Sequence, residues 1–331
     1  MLRAAGVAAI SLSTISAHAQ IPPSYGQPQP STVVLYVEAA LQHGDLAQAS
    51  ALVSQYRRLN GDTPDALEAL SWLARGELAF GHPDQAQKDA EEIERSATAA
   101  LATRSLDREP HLPIALGAAY EIEAEILNAE HKKSEAVTLL ESEMRKWRGT
   151  SIAGRLQKNL NLLTLQGKPV PLLREPDWIG AKPVALTGMH GKVLLLFFWA
   201  HWCADCKADA PIIAKMAQEF GPKGLVVIAP TRFYGYTAQD DHAPASIEKA
   251  FIKSVYDQYY SEIPNAGVPL SDSNFERFGV STTPTIVLVD AHGIVRLYHP
   301  GAMDAASLEA TIEPLLAKAG TASQRAPASK R

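Results

Sequence analysis

The sequence predicts a two-part chain: an all-α region of stacked helical hairpins followed by an α/β domain. Three observations carry that prediction. Between Val34 and Tyr56 the apolar residues Val34, Val37, Leu41, Leu46, Ala49, Leu52 and Val53 recur at helical spacings, broken by Gly44-Asp45 as a turn between antiparallel helices. Beyond residue 190 the pattern changes to two continuous apolar runs, 193–199 and 224–230, that suit strands buried on both faces. The text between those runs is helical, so they form a β-α-β unit with parallel strands. A length of 331 residues, 46% hydrophobic and 20% charged, is more than one core needs and fits a globular chain of two domains.

Taken in order, residues 1–19 read as an export signal: Arg3 precedes a small apolar stretch that ends in Ala17-His18-Ala19, a small-x-small cleavage site. Residues 20–31 hold four prolines and read as an extended linker. The helical region is expected over 32–166. Its turn phrase recurs, at Gly81-His82-Pro83 and at His131-Lys132-Lys133, each time with an alanine five residues after the turn: Ala49, Ala86 and Ala136. A small residue at a fixed offset lets paired helices approach closely. The array resembles a degenerate tetratricopeptide-type repeat, with irregular turn spacings of 37 and 50 residues and without the full aromatic signature. A generic helical bundle is the alternative.

A helix over 151–165 stops at Gln166-Gly167-Lys168-Pro169, and residues 167–176, with three prolines, read as a linker. The second domain is expected over 177–319. It comprises the strand from Val193, a helix over 203–220, the strand from Gly224 and a helix over 246–260. Val268-Pro269-Leu270 is predicted to be an edge strand at best, because proline cannot donate to a ladder. A helical turn over 274–278, a strand over 285–289, the hairpin turn Asp290-Ala291-His292-Gly293, a strand over 294–298 and a helix over 308–318 complete it. The tail 320–331 is expected to be disordered.

Cys203 and Cys206 are the chain's two cysteines, and they admit three readings: a metal clip, a structural disulfide or a redox centre. A bridge across two residues closes too small a loop to constrain an unfolded chain much, which disfavours the structural reading. A cysteine in the first turn of a helix has its thiolate favoured by unpaired amides and the helix dipole, which makes Cys203 the nucleophile. Cys206, one turn on, is placed to resolve a mixed disulfide.

Trp202-Cys203-Ala204-Asp205-Cys206-Lys207, Pro211 in the following helix, and Thr282-Thr283-Pro284-Thr285 before a strand together resemble the thioredoxin fold. With the helix over 246–260 and the strand hairpin after Asp290, the α/β domain is similar to the exported TlpA/ResA-like branch. The resemblance implies a thiol–disulfide oxidoreductase whose redox-active disulfide, Cys203–Cys206, serves in place of a cofactor. It makes Pro284 a cis-proline beside the cysteines, gives Thr283 backbone hydrogen bonds to a client strand, and sets Trp202 beside the nucleophile. Ala204 and Asp205 become the redox-tuning pair, Asp205 disfavouring the Cys203 thiolate. Asp209 stands where that branch often carries a buried glutamate, and so becomes the candidate proton acceptor for Cys206. Cytoplasmic thioredoxins carry a buried aspartate six residues before the first cysteine; this chain has Phe197 there.

A net charge of −5 gives no basic footprint for nucleic acid. His201, His242 and His299 lack ligand spacing, so no metal site is expected. A thiol peroxidase would need a lone peroxidatic cysteine in a different loop. Phe233-Tyr234-Gly235-Tyr236 reads as a surface loop or as lining of a client groove. The reading is an exported, periplasmic reductase of protein disulfides, re-reduced by a membrane electron donor, its helical repeats available to a protein partner. The alternatives are a redox-sensitive scaffold that binds clients through the repeats, and a disulfide oxidase or isomerase.

Overall fold

The computed structural model describes residues 31–180, 189 and 191–325. The expected signal segment, the proline-rich linker up to residue 30 and the last residues of the expected tail, 326–331, lie outside the described residues. The chain divides into two compact units, the described part of one ending at Ile122 and the other running from Glu123. The sequence places its change of composition later, at 167–176.

The first unit is built of helices α1 (Thr32–Gln42), α2 (Leu46–Asn60), α3 (Pro64–Ala79) and α4 (Pro83–Leu101), a 3-10 turn (Leu106–Arg108) and the start of α5 (Leu112–Ala129). Each helix start has a local cause. The Asp45 carboxylate accepts from the Gln48 amide at 2.8 Å, and Thr63 caps α3 with Pro64 in the first turn. Helices pair in sequence order, α1 with α2 and α3 with α4.

The expected turn phrase is visible in the backbone. Gly44, Gly81 and His131 all have positive φ (75°, 83° and 64°). Each is followed by a residue whose amide reaches back to a carbonyl five positions earlier: Asp45 to Ala40, His82 to Glu77 and Lys132 to Leu127. These are Schellman closures. Ala49, Ala86 and Ala136 are all fully buried. The third turn puts a histidine where the first two have glycine, and left-handed backbone costs an L-residue about 1 kcal/mol. His131→Gly is therefore expected to stabilise the protein by about 1 kcal/mol, measured as a shift in denaturant midpoint with an unchanged slope.

The second unit takes up the end of α5, then α6 (Lys133–Lys146), α7 (Ala153–Thr164), β1 (Asp177–Gly180), β2 (Val193–Phe198), α8 (Ala204–Phe220), β3 (Leu225–Ile228), α9 (Ala245–Tyr259), β4 (Gly267–Leu270), α10 (Asp272–Phe278), β5 (Thr285–Val289), β6 (Val295–Pro300) and α11 (Ala305–Arg325). α11 thus continues past the expected end of the domain at residue 319. The six strands form one sheet in the order β1-β4-β3-β2-β5-β6, with β2, β3 and β4 parallel and the remaining pairs antiparallel. β2 is central and alternates between two cores. Val193, Leu195, Phe197 and Trp199 pack with α8, α9 and α11, while Leu194, Leu196 and Phe198 pack with α10 and Leu165, just beyond α7.

Where the two expected domains meet, two features differ from expectation. The segment read as a linker is hydrogen-bonded along β6: Gly167 donates to Val295, Val295 to Lys168, and Val170 to Gly293. The end of α10 lies against the backbone of α7, where a Cβ on Gly279 would stand 2.5 Å from the Lys158 nitrogen.

The expected edge strand at Val268-Pro269-Leu270 is an interior strand, β4, flanked by β1 and β3. The ladder runs from Ala229 N–H to Gly267 O, from Thr231 N–H to Pro269 O and from Ser271 N–H to Thr231 O. The bond missing from this series is the one Pro269 would donate to the Ala229 carbonyl. The indole N–H of fully buried Trp199 fills it at 2.9 Å. A side chain from the neighbouring strand end thus satisfies a carbonyl that proline would orphan. β1, four residues long, is the edge.

Candidate active site

Cys203 and Cys206 form a disulfide with Cα atoms 5.3 Å apart. Cys203 is the N-cap of α8, and its sulfur accepts the Cys206 amide at 3.0 Å. The sequence produces this geometry locally: β2 ends at Phe198, the Cys203 amide closes a turn onto the Ala200 carbonyl at 3.1 Å, and α8 starts at Ala204. The Cys203 sulfur thus sits among the free amides of a helix start. It retains 4% of its surface, whereas Cys206 retains none, so an incoming sulfur meets Cys203 first.

The loop before β5 faces this pair. Thr283-Pro284 is a cis peptide, and the Thr283 carbonyl oxygen lies 3.4 Å from the Cys203 sulfur. Pro284 is buried and Thr283 half-buried. Trp202 is half-buried, its ring edge-on to Tyr234 at 5.7 Å. Ala204 and Asp205 are exposed in the first turn of α8.

Asp209, one turn past Cys206, is buried and 7% exposed, with Oδ2 unpaired. Burial pushes its carboxyl up to about 6; the Asp205 charge adds to the rise, while the Met303 amide and His299 oppose it. Phe197 is fully buried and packs near Tyr260, at 6.3 Å between rings.

The histidines weighed as ligands have separate surroundings. His201 is buried beside Glu248, His299 lies 3.1 Å from the Ala302 carbonyl, and His242 is exposed. Among the described residues no three His, Cys, Asp or Glu side chains group in a way that would hold a metal ion.

A family model described as a thioredoxin-like domain matches residues 184–315. The α/β domain of this chain is thioredoxin-like. The thiol:disulfide interchange protein DsbE of Pseudomonas fluorescens biotype C is 29% identical over 139 residues, 42% of this chain and 68% of that protein. DsbE of Xylella fastidiosa (strain Temecula1) is 27% identical over 169 residues, 50% of this chain and 76% of that one. The thiol-disulfide oxidoreductase ResA of Bacillus thuringiensis is 26% identical over 129 residues, 39% and 66% of the two chains. Among solved structures, a putative thiol:disulfide interchange protein DsbE from Chlorobium tepidum aligns over 46% of this chain and 97% of its own, with 26% identity and a TM-score of 0.35.

The thioredoxin-like domain brings Trp202, Cys203, Cys206, Thr283 and Pro284 to one end of the sheet, with Asp209 buried beneath on α8. It also brings in residues that the sequence reading did not single out. Glu248, on the first turn of α9, is 1% exposed and accepts the amides of Tyr234 and Gly235 at 2.5 and 2.9 Å. The hydroxyl of Tyr260, beyond α9, is buried and unpaired within electrostatic reach of Asp209. One lies on α9 and the other caps its end, and the apolar spacing that marks the helix says nothing about which polar residue turns inward.

Proposed function

We propose that this protein is a reductase of protein disulfides. It is a thiol–disulfide oxidoreductase, and the observation that carries the reading is the Cys203–Cys206 disulfide at the start of α8, opposite Thr283 and cis-Pro284. Starting from the dithiol, the Cys203 thiolate attacks one sulfur of a client disulfide, the other client sulfur leaves as a thiolate, and a mixed disulfide remains. Cys206, losing its proton to Asp209, attacks Cys203. The second client thiolate leaves, and two electrons have passed from the protein to the client. Thr283 and Trp202 flank the docked client strand, and Pro284 shapes the loop that meets it.

Asp205 and the helix terminus pull on Cys203 in opposite directions, and the carboxylate favours the reducing side. Residues 1–19 serve export to the periplasm, and a membrane donor returns the dithiol. The helices of 32–166 act as a tetratricopeptide-like platform for a protein partner, ahead of a catalytic domain over 177–319. Among the described residues no helix is long and apolar enough to cross a membrane.

The test is the reduction potential of the pair, equilibrated in defined thiol–disulfide buffers and read by mass after alkylation. A value below about −230 mV supports a reductase. A value above about −150 mV makes the protein an oxidant or isomerase instead.

A further inference from the structure

His201 stands two residues before Cys203 and is 2% exposed. Three rings box it edge-on: Tyr234 at 5.3 Å, Tyr236 at 5.1 Å and Phe251 at 5.2 Å between centroids. The polar group facing it is Glu248, whose Oε1 lies 3.4 Å from His201 Nε2. Burial, with the nearby Lys207 charge, pushes His201 down to about 4, so the ring is neutral at physiological pH. The approach of the two groups is a close contact rather than a hydrogen bond, and His201 Nε2 is buried without a hydrogen-bond partner.

The same carboxylate holds the backbone of the aromatic loop through the Tyr234 and Gly235 amides. The ring of Tyr234 then backs Trp202, and its face carries the Arg232 guanidinium at 4.9 Å, which also lies 5.2 Å from the Phe275 ring. One buried acid therefore bonds the loop after β3 to the start of α9 and stands in contact with the turn before Cys203. The groups that His201 and Glu248 meet are each other, the aromatic rings and two loop amides, which are not sulfur ligands. This arrangement fixes the position of the aromatic wall beside the disulfide.

We propose that His201 and Glu248 are positioning residues that hold Tyr234 against Trp202, so that they set how tightly a peptide disulfide docks rather than how fast the sulfurs exchange. This rests on the reductase reading and assigns its specificity wall.

The test compares the wild type with Glu248→Gln, His201→Phe and the double variant. Each is reduced and assayed on a disulfide-bonded peptide and on glutathione disulfide, which is too small to need the wall. The expected result is a KM for the peptide raised about tenfold in each single variant, with kcat and the glutathione disulfide rate within about twofold of wild type. The reduction potential should not move. Because both residues act through one contact, the double variant should be no worse than the worse single one.

An unchanged peptide KM overturns the proposal. So does a fall of both reactions together with Tm, which marks a purely structural role. Should the wild type reduce neither substrate, the reductase reading fails separately. The near-ultraviolet circular dichroism of Trp202 and Tyr234 then decides the wall: a change in both single variants supports it, and spectra identical to wild type remove it.

Discussion

Cys203→Ser is expected to abolish disulfide exchange, lowering turnover by at least about a thousandfold, while Cys206→Ser leaves the first half of the reaction intact and stalls it. The asymmetry follows from position. Cys203 caps α8, accepts the Cys206 amide and keeps a little exposed surface, whereas Cys206 has none. A client sulfur therefore meets Cys203 first, and only Cys206 lies within reach to release it. In Cys206→Ser the mixed disulfide has no internal resolving thiol and accumulates. Non-reducing mass spectrometry of the two variants after mixing with a disulfide-bonded peptide checks this. An adduct on Cys206 in the Cys203→Ser variant, and none on Cys203 in the Cys206→Ser variant, would reverse the assignment.

Asp209→Asn is expected to stabilise the oxidised protein and slow its chemistry. The carboxyl is pushed from its ordinary 3.8 to about 6 by burial. A raised carboxylate pKa means that the folded state holds the proton more tightly than the unfolded chain. Its contribution is therefore favourable below the unfolded value and lost as pH rises through the window from about 4 to about 6. Two units correspond to about 2–3 kcal/mol at neutral pH. Asparagine removes the buried charge, so oxidised Asp209→Asn should gain about that much at pH 7 and lose the slope across the window.

The kinetic sign is the opposite. Proton acceptance from Cys206 needs the carboxylate, so the wild-type release step should fall away below about pH 6. Asp209→Asn should run about a hundredfold slower at neutral pH without that inflection. Denaturant melts at pH 4 and pH 7, with stopped-flow release at the same values, separate the two effects. A variant that is both less stable and equally fast would remove Asp209 from the mechanism.

What the sequence made legible was what repeats or what alternates. The turn phrase with its alanine five residues on reappears as three closures of one hydrogen-bond pattern over fully buried Ala49, Ala86 and Ala136. The apolar run from Val193 is the central strand because both its faces are covered. The cysteines, Thr283 and Pro284 meet at one end of that sheet.

Hidden from the sequence was anything that depends on a polar partner far along the chain. Glu248 looks like an ordinary helix-start acid until the loop after β3 folds over it. His201 reads as a histidine without ligand spacing until three rings close round it. β1 is four residues long and borrows its identity from β4. β4 escapes the rule about proline and ladders because that rule counts backbone donors, and here a side chain supplies the donor that proline lacks.

That last arrangement makes Trp199 and Pro269 a matched pair. Phenylalanine at 199 would strand the Ala229 carbonyl beside a residue with no amide hydrogen, at a cost of about 2 kcal/mol. Valine at 269 would bring a second donor to an acceptor the indole already occupies. Trp199→Phe combined with Pro269→Val gives the carbonyl one donor again, so each change is the remedy for the other. In a library randomised at both positions and sorted for folded protein, survivors should keep tryptophan with proline or lose the two together. A population tolerant of proline opposite phenylalanine would show the carbonyl finding another donor. The route by which this strand pairing diversifies is thus two coordinated steps, because the phenylalanine step alone leaves the carbonyl unanswered and the valine step alone crowds two donors onto it.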